Sequence, residues 1–289
     1  MAALRHDLTI ATRTLRSSPA FAAMVILTLA IGVGATTAIF SIVDAVVLKP
    51  LPFPQSDRIV RLFQLTEKGN RNSVSQPNYY DWAARTHSFA AMALMSGWTG
   101  TSTVQTPAGP TMARVTPVTR DFFKVLGVRP AAGRLFVADE QVFGGPRIAV
   151  ISEGFWRDQF GANRGAVGQR IVWQNESYEI VGVLPARSAY PAGNQIWVPL
   201  ELFPPNRGRT SQGHTVIARL APGVSIDAAR RDLSSVSREM KLEYGNQTSM
   251  SDAALVGLRD QMVGDARPRL LVLLGASGFL LLIGLANAL

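Results

Sequence analysis

The chain has 289 residues, no cysteine, a net charge of +9 and an apolar content of 47%. That length holds one large domain or two small ones, and a mean hydropathy of only +0.14 excludes a bundle built wholly of membrane spans. The lack of cysteine excludes disulfides, thiolate nucleophiles and cysteine metal sites, and is compatible with either redox compartment.

The basic excess is dispersed. Between Lys49 and Arg269 there are 26 Lys and Arg among 18 acids, and the only adjacent basic pair is Arg230-Arg231. No basic stripe interleaves with aromatics, so nucleic acid is not expected as a partner.

In chain order, Leu4, Leu8, Ala11 and Leu15 recur at helical spacing, with Arg5, Arg13 and Arg16 largely elsewhere. The pattern predicts an amphipathic helix along a membrane face, and a plain basic flank is the simpler alternative. From Ser17 to Val43 runs a charge-free stretch of 27 residues. As a helix it reaches about 40 Å, enough to cross a hydrocarbon core of about 30 Å. A cleaved export signal and a buried soluble helix are the competing readings. The stretch is too long for a signal core, and Asp44-Ala45-Val46 is a poor cleavage site. The arginines before it favour a cytoplasmic N-terminus, which puts residues 49–269 outside. Pro50, Pro52 and Pro54 then disfavour further helix.

The outer segment alternates. Arg58–Leu65 reads as a strand, and Pro77–Met95 as a helix capped by Asn78 and carrying Tyr79, Trp82, Phe89 and Met92. Thr101–Gln105 and Met112–Val118 are strands joined at Pro107–Pro110, and Arg120–Leu126 is a short helix closed by Gly127. Residues 147–152 form a strand, 153–161 a short helix, 169–185 a hairpin turning at Gln174–Glu176, and 195–200 a strand. His214–Leu220 is a strand, Ser225 an N-cap, and Ile226, Ala229, Leu233, Val236 and Met240 one helical face. Ala253–Arg259 is predicted as a last strand. Leu270 to Leu289 is a second charge-free run, preceded by Arg267 and Arg269, and with no polar flank it reads as a clipped span. The expected fold class is α+β: a transmembrane helix, an extracytoplasmic domain with a split βαβ part and a mostly-β insert, and the start of a second transmembrane helix.

Catalytic motifs are missing. There is no G-x-x-x-x-G-K-[ST], G-x-S-x-G, H-E-x-x-H or G-x-G-x-x-G. "GASG" at 275–278 lies inside the second apolar run, where packing of small residues explains it. His6, His87 and His214 fall in separate segments without metal-ligand spacing, and Asp139-Glu140 reads as a solvated turn. No enzyme activity, cofactor or metal is expected.

Several long blocks carry a resemblance. "DLTIATRTLRSSPAFAAMVILTLAIGVGATTAIFSIVDAVVLKPLPFPQSDRIVRL" (7–62), "VTRDFFKVLGVRPAAGRLF" (118–136), "VISEGFWRDQFG" with "VGQRIVWQNESYEIVGVLP" (150–185), and "IARLAPGVSIDAARRDL" (217–233) resemble MacB-like ABC transporter permeases of the FtsX/MacB group, in family order. The similarity is greatest to orphan permeases without a fused ATPase. It implies a cytoplasmic segment at 1–18, a transmembrane helix at 19–48, a periplasmic core domain at 49–269 and a truncated second span at 270–289. Within the core domain it implies porter-like pieces at 55–118 and 206–265 around a sabre-like insert at 119–205. It further implies a cytoplasmic ABC ATPase partner that binds the ATP, a periplasmic adaptor, a dimer of permease units in the bacterial inner membrane, and export driven by motion of the outer domain. Leu4, Leu8, Ala11 and Leu15 become the candidate ATPase contact. A membrane-anchored regulator of an extracytoplasmic partner, such as a cell-wall hydrolase, is the alternative function. Neither substrate nor later spans follow from the residues present.

Overall fold

The computed structural model describes residues 19–44, 49, 51–97, 100–264 and 266–288. The chain divides into two units, residues 1–49 with 262–289, and residues 50–261.

In the first unit, α1 (Pro19–Val43) and a C-terminal helix (Ala266–Ala288) are the elements. Windows of each, Ile26–Val43 and Pro268–Ala286, are long and apolar enough to cross a membrane. Only 11% of each window is buried within the chain. A soluble core helix would be mostly covered, so that alternative fails.

The second unit opens with β1 (Ile59–Leu65), β2 (Arg71–Asn72), β3 (Val74–Ser75) and α2 (Gln76–Arg85). Then come β4 (Phe89–Ser96), β5 (Thr101–Thr106), β6 (Gly109–Val118), α3 (Phe122–Leu126) and β7 (Ala132–Gly133). β8 (Ile148–Ser152), α4 (Glu153–Phe160), β9 (Arg170–Trp173), β10 (Glu176–Leu184) and β11 (Ile196–Pro199) follow. β12 (Gln212–Leu220), α5 (Ile226–Tyr244), β13 (Asp252–Gly257) and α6 (Leu258–Val263) complete it, and the C-terminal helix is α7.

Two predicted boundaries are corrected. The helix expected over Pro77–Met95 ends at Arg85, and Phe89 and Met92 lie on β4. Its N-cap is Ser75, while Asn78 is buried and donates from Nδ2 to Thr248 at 3.1 Å. β4 is buried on both faces: Ala91, Ala93 and Met95 enter one core, Met92 and Leu94 another. Such a strand is a continuous apolar run, which periodicity does not separate from a helix. Asp232 Oδ2 accepts from the His87 and Ser88 amides, both at 2.9 Å, at the break between the two elements. The strand expected over Ala253–Arg259 ends at Gly257, and α6 begins at Leu258.

Other local signals match. Gln174 and Asn175 have φ of 51° and 65°, as a two-residue hairpin turn requires. Gly127 and Gly161 close α3 and α4 in the left-handed region. Ser225 Oγ accepts from the Ala228 amide at 3.2 Å.

Among the described residues the strands form one 13-stranded sheet with the path β11-β8-β10-β9-β5-β6-β4-β12-β1-β13. β11 also pairs with β6, in parallel, from Ile196–Val115 to Pro199–Val118. That pairing closes β6, β5, β9, β10, β8 and β11 into a ring, a small barrel. Its core takes Val104, Val115, Ile151, Ile171, Ile180 and Ile196, one from each strand, and Phe155 of α4. The remaining strands form an open sheet, with α2 and α5 packed on one face through Trp82, Leu233, Val236 and Met240. β5 and β6 share this core with residues 148–203. A third core joins barrel and sheet. α3 is at its centre, with Phe122, Phe123, Val125 and Leu126 all buried against Val150, Trp197 and Ile217.

Candidate functional site

The residues singled out for partner contact, Leu4, Leu8, Ala11 and Leu15, lie outside the described residues, as does His6. The other sequence candidates are structural. Glu140 is ion-paired with Arg134 at 2.5 Å, and this holds its carboxyl below the ordinary range. His87 is exposed, and His214 sits on β12, where burial lowers its pKa against the opposing bond to Val74. No group of three His, Cys, Asp or Glu able to hold a metal occurs among the described residues.

The helix pair is built on small residues. A Cβ on Gly32 would lie 3.2 Å from Leu281 Cδ1, and one on Gly284 would lie 3.3 Å from Thr28 Cγ2. Thr36 Oγ1 donates to Gly32 O at 2.8 Å and lies 3.4 Å from Ser277 O. Ser277, the serine of "GASG", is buried and bonds Leu274 O at 2.9 Å. Ile39, Val43, Val263, Leu270 and Leu274 continue the contact. Close backbone approach at small residues is how spanning helices associate where lipid offers no hydrophobic drive. The outward side chains, among them Ile31, Phe40, Val272 and Phe279, are apolar and exposed.

The outer unit begins and ends on neighbouring strands. β1 pairs antiparallel with β13 from Val60–Gly257 to Leu65–Asp252. Residues 44–58 separate α1 from β1, and residues 258–265 separate β13 from α7.

Between open sheet and barrel, a polar network surrounds the turn after β6. Tyr79 OH bonds Met92 O at 3.2 Å and Thr119 Oγ1 at 3.1 Å, and Thr119 Oγ1 accepts from the Leu94 amide at 2.8 Å. Burial pushes the Tyr79 phenol well above its usual range, against the hydrogen bond from Thr119. The Arg120 amide donates to Glu201 Oε1 at 2.9 Å, while Glu201 Oε2 is buried without a partner among the described residues. Burial raises the Glu201 carboxyl, opposed by backbone N–H bonds from its own residue and Arg120. Arg219 Nε donates to Val125 O at 2.8 Å, tying α3 to β12. A cleft of about 370 Å³ opens beside the network, lined by Tyr80, Phe89, Ala90, Arg120 and Glu201. The sequence marked Tyr79, Phe89 and Met92 only as apolar-face residues of a helix, and did not single out Thr119 or Glu201. The bonds of the network join residues 13 to 94 positions apart, which no local pattern in the sequence reveals.

Two apolar helices flanking a two-part α+β domain define a class: a membrane protein carrying a periplasmic-type domain between spans. The family model "MacB-like periplasmic core domain" matches residues 22–236, and the chain belongs to that family, found in permeases of ABC transporters. It is 34% identical over 130 residues to the macrolide export ATP-binding/permease protein MacB of Burkholderia pseudomallei, a match covering 43% of this chain and 19% of that protein. The chain thus spans about a fifth of the length of the curated relatives it matches. The periplasmic region of MacB from Actinobacillus actinomycetemcomitans superposes with a TM-score of 0.54 at 13% identity, over 73% of this chain and 94% of that one. The extracellular domain of the noncanonic ABC-type transporter YknZ from Gram-positive bacteria superposes with 0.51 at 14% identity, over 68% and 99%. These superpositions show a shared fold.

Proposed function

We propose that the chain is the permease part of an ABC transporter, coupling ATP hydrolysis by a separate cytoplasmic ATPase to movement of the periplasmic unit for export. The observation that supports this reading most is the pairing of β1 with β13. Each span is joined by a short segment to one of two strands held in register, so displacement of either helix is delivered to one ribbon of the open sheet. A long flexible linker would absorb that displacement. The chain contributes no nucleotide site in this reading, and ATP stays on the partner.

The remaining assignments follow from the same reading. The N-terminus is cytoplasmic, in line with Arg5, Arg13 and Arg16 before the first span. Leu4, Leu8, Ala11 and Leu15 face the ATPase. Two permease copies form the unit in the inner membrane, and a periplasmic adaptor completes the export path. Residues 55–118 and 206–265 act as porter-like pieces around the 119–205 sabre-like insert, with β5 and β6 of the first piece completing the barrel that the insert forms.

Pull-down of a cytoplasmic ABC ATPase by the full-length protein tests the reading. Capture is expected with the native sequence and lost with Leu8→Glu plus Leu15→Glu. Unchanged capture and transport in the double variant overturn the interface assignment. Capture of an extracytoplasmic hydrolase and no ATPase overturns the transport reading in favour of a regulator.

A further inference from the structure

Beside α3, on the other side of Arg120 and Gln141 from the cleft described above, lies a second groove of about 500 Å³. We propose that it binds a free, single-chain anionic amphiphile, an alkyl chain ending in a phosphate or carboxylate. The inference is independent of any ATPase partner.

Three cations line the groove: Arg120, Lys124 and Arg129. The acid among its lining residues is Asp121, and its nearest approach is 3.9 Å from Lys124 Nζ, at the limit of an ion pair. Arg129 has no ion pair or side-chain hydrogen bond among the described residues. Arg120 spends one guanidinium N–H on Ala138 O at 3.2 Å. Some exposed arginines of this unit are ion-paired, as in Arg147–Glu176 at 3.0 Å and Arg238–Asp252 at 2.8 Å, while Arg164, Arg170 and Arg187 have no carboxylate partner among the described residues but stand singly; the groove is set apart by three cations lining one concavity with a single acid. A net positive groove in that setting is an uncompensated field, and an anion offsets it.

The floor supplies the second half of the chemistry. The rings of Phe123 and Phe136 meet at a tilt of 58°, 5.4 Å between centroids, and Leu135 packs on the same core while remaining partly open. Cations around an apolar floor suit a ligand with a charged head and an alkyl body. The volume is ordinary for one small molecule and too small for a two-chain phospholipid. A bland account exists for the cations, since Lys and Arg near a helix C-terminus complement its dipole. α3 has only five residues, and its Val125 carbonyl is already taken by Arg219, so the dipole explains little of the cluster.

The test is a calorimetric titration of octyl phosphate, below its micellar concentration, into the full chain in zwitterionic nanodiscs, with empty nanodiscs subtracted. Saturable binding is expected. Lys124→Glu with Arg129→Glu, both exposed, should weaken it about ten-fold or more, and raising salt from about 50 to about 500 mM should weaken it several-fold. Phe136→Ala should weaken it while leaving the salt dependence unchanged. Inorganic phosphate alone should bind at least about ten-fold more weakly, because it lacks the chain. Binding that is unsaturable, equal in the charge-reversed variant, or matched by octyltrimethylammonium overturns the proposal. Inorganic phosphate binding as tightly as octyl phosphate overturns the amphiphile in favour of a plain anion site.

Discussion

Glu201 is the residue whose environment makes the sharpest demand. One carboxylate oxygen accepts from the Arg120 amide, and the other is buried without a donor among the described residues. Burial raises its folded pKa above the ordinary 4.5. Its contribution to stability is therefore fully present below about pH 4.5 and is lost as pH rises through the raised value. Glutamine keeps the acceptor for Arg120 and carries no charge. Glu201→Gln should raise the melting temperature at neutral pH, by a stabilisation of about 1 kcal/mol, and leave it unchanged near pH 4. An equal shift at both values would contradict the burial argument. His214 runs the other way: burial lowers its folded pKa below 6.5, so its contribution is lost as pH falls below that value. A neutral His214→Asn variant should flatten the loss of melting temperature on mild acidification. None of this was legible in the sequence, where Glu201 is one acid among many. Its environment is made by Arg120, 81 positions away.

Among the elements, the Ser225 cap and the turn at Gln174 and Asn175 were legible because adjacent residues decide them, whereas the cap read at Asn78 falls at Ser75. Ser225 heads α5, and Ser225→Ala should cost about 1 kcal/mol, read as a lower denaturation midpoint with an unchanged slope. β4 was not legible, because its two faces enter two different cores and the strand shows no period-2 alternation. The barrel closure was also hidden, since it rests on the parallel β6–β11 pairing between segments about 80 residues apart. The short β7 shares that difficulty. It presses Gly133 and Gly182 so close that a Cβ on Gly182 would lie 2.0 Å from Arg134 O. In the helix pair, Gly32 meets Leu281 at a distance that leaves no room for a branched side chain. The chain contains no cysteine, so Thr36→Cys with Ser277→Cys gives a clean cross-linking pair. A short bifunctional thiol reagent should join α1 to α7 efficiently, and Gly32→Ile should lower the yield several-fold. An unchanged yield would remove Gly32 from the contact.

For the whole molecule, the two-part outer domain between apolar helices was anticipated from composition and pattern, and family similarity supplied the finer names. The mechanical reading goes further. It holds that nucleotide state on a cytoplasmic ATPase is transmitted through paired β1 and β13 to the periplasmic unit. Lys68 lies in the exposed turn after β1, where a label disturbs no packed side chain. A Lys68→Cys variant of the full-length protein, spin-labelled and assembled with its ATPase, reports the distance between two copies by pulsed electron resonance. Two distinct distance distributions, one without nucleotide and one with a trapped ATP state, are predicted. The same distribution in both states, or no distance between copies at all, would contradict the coupling account.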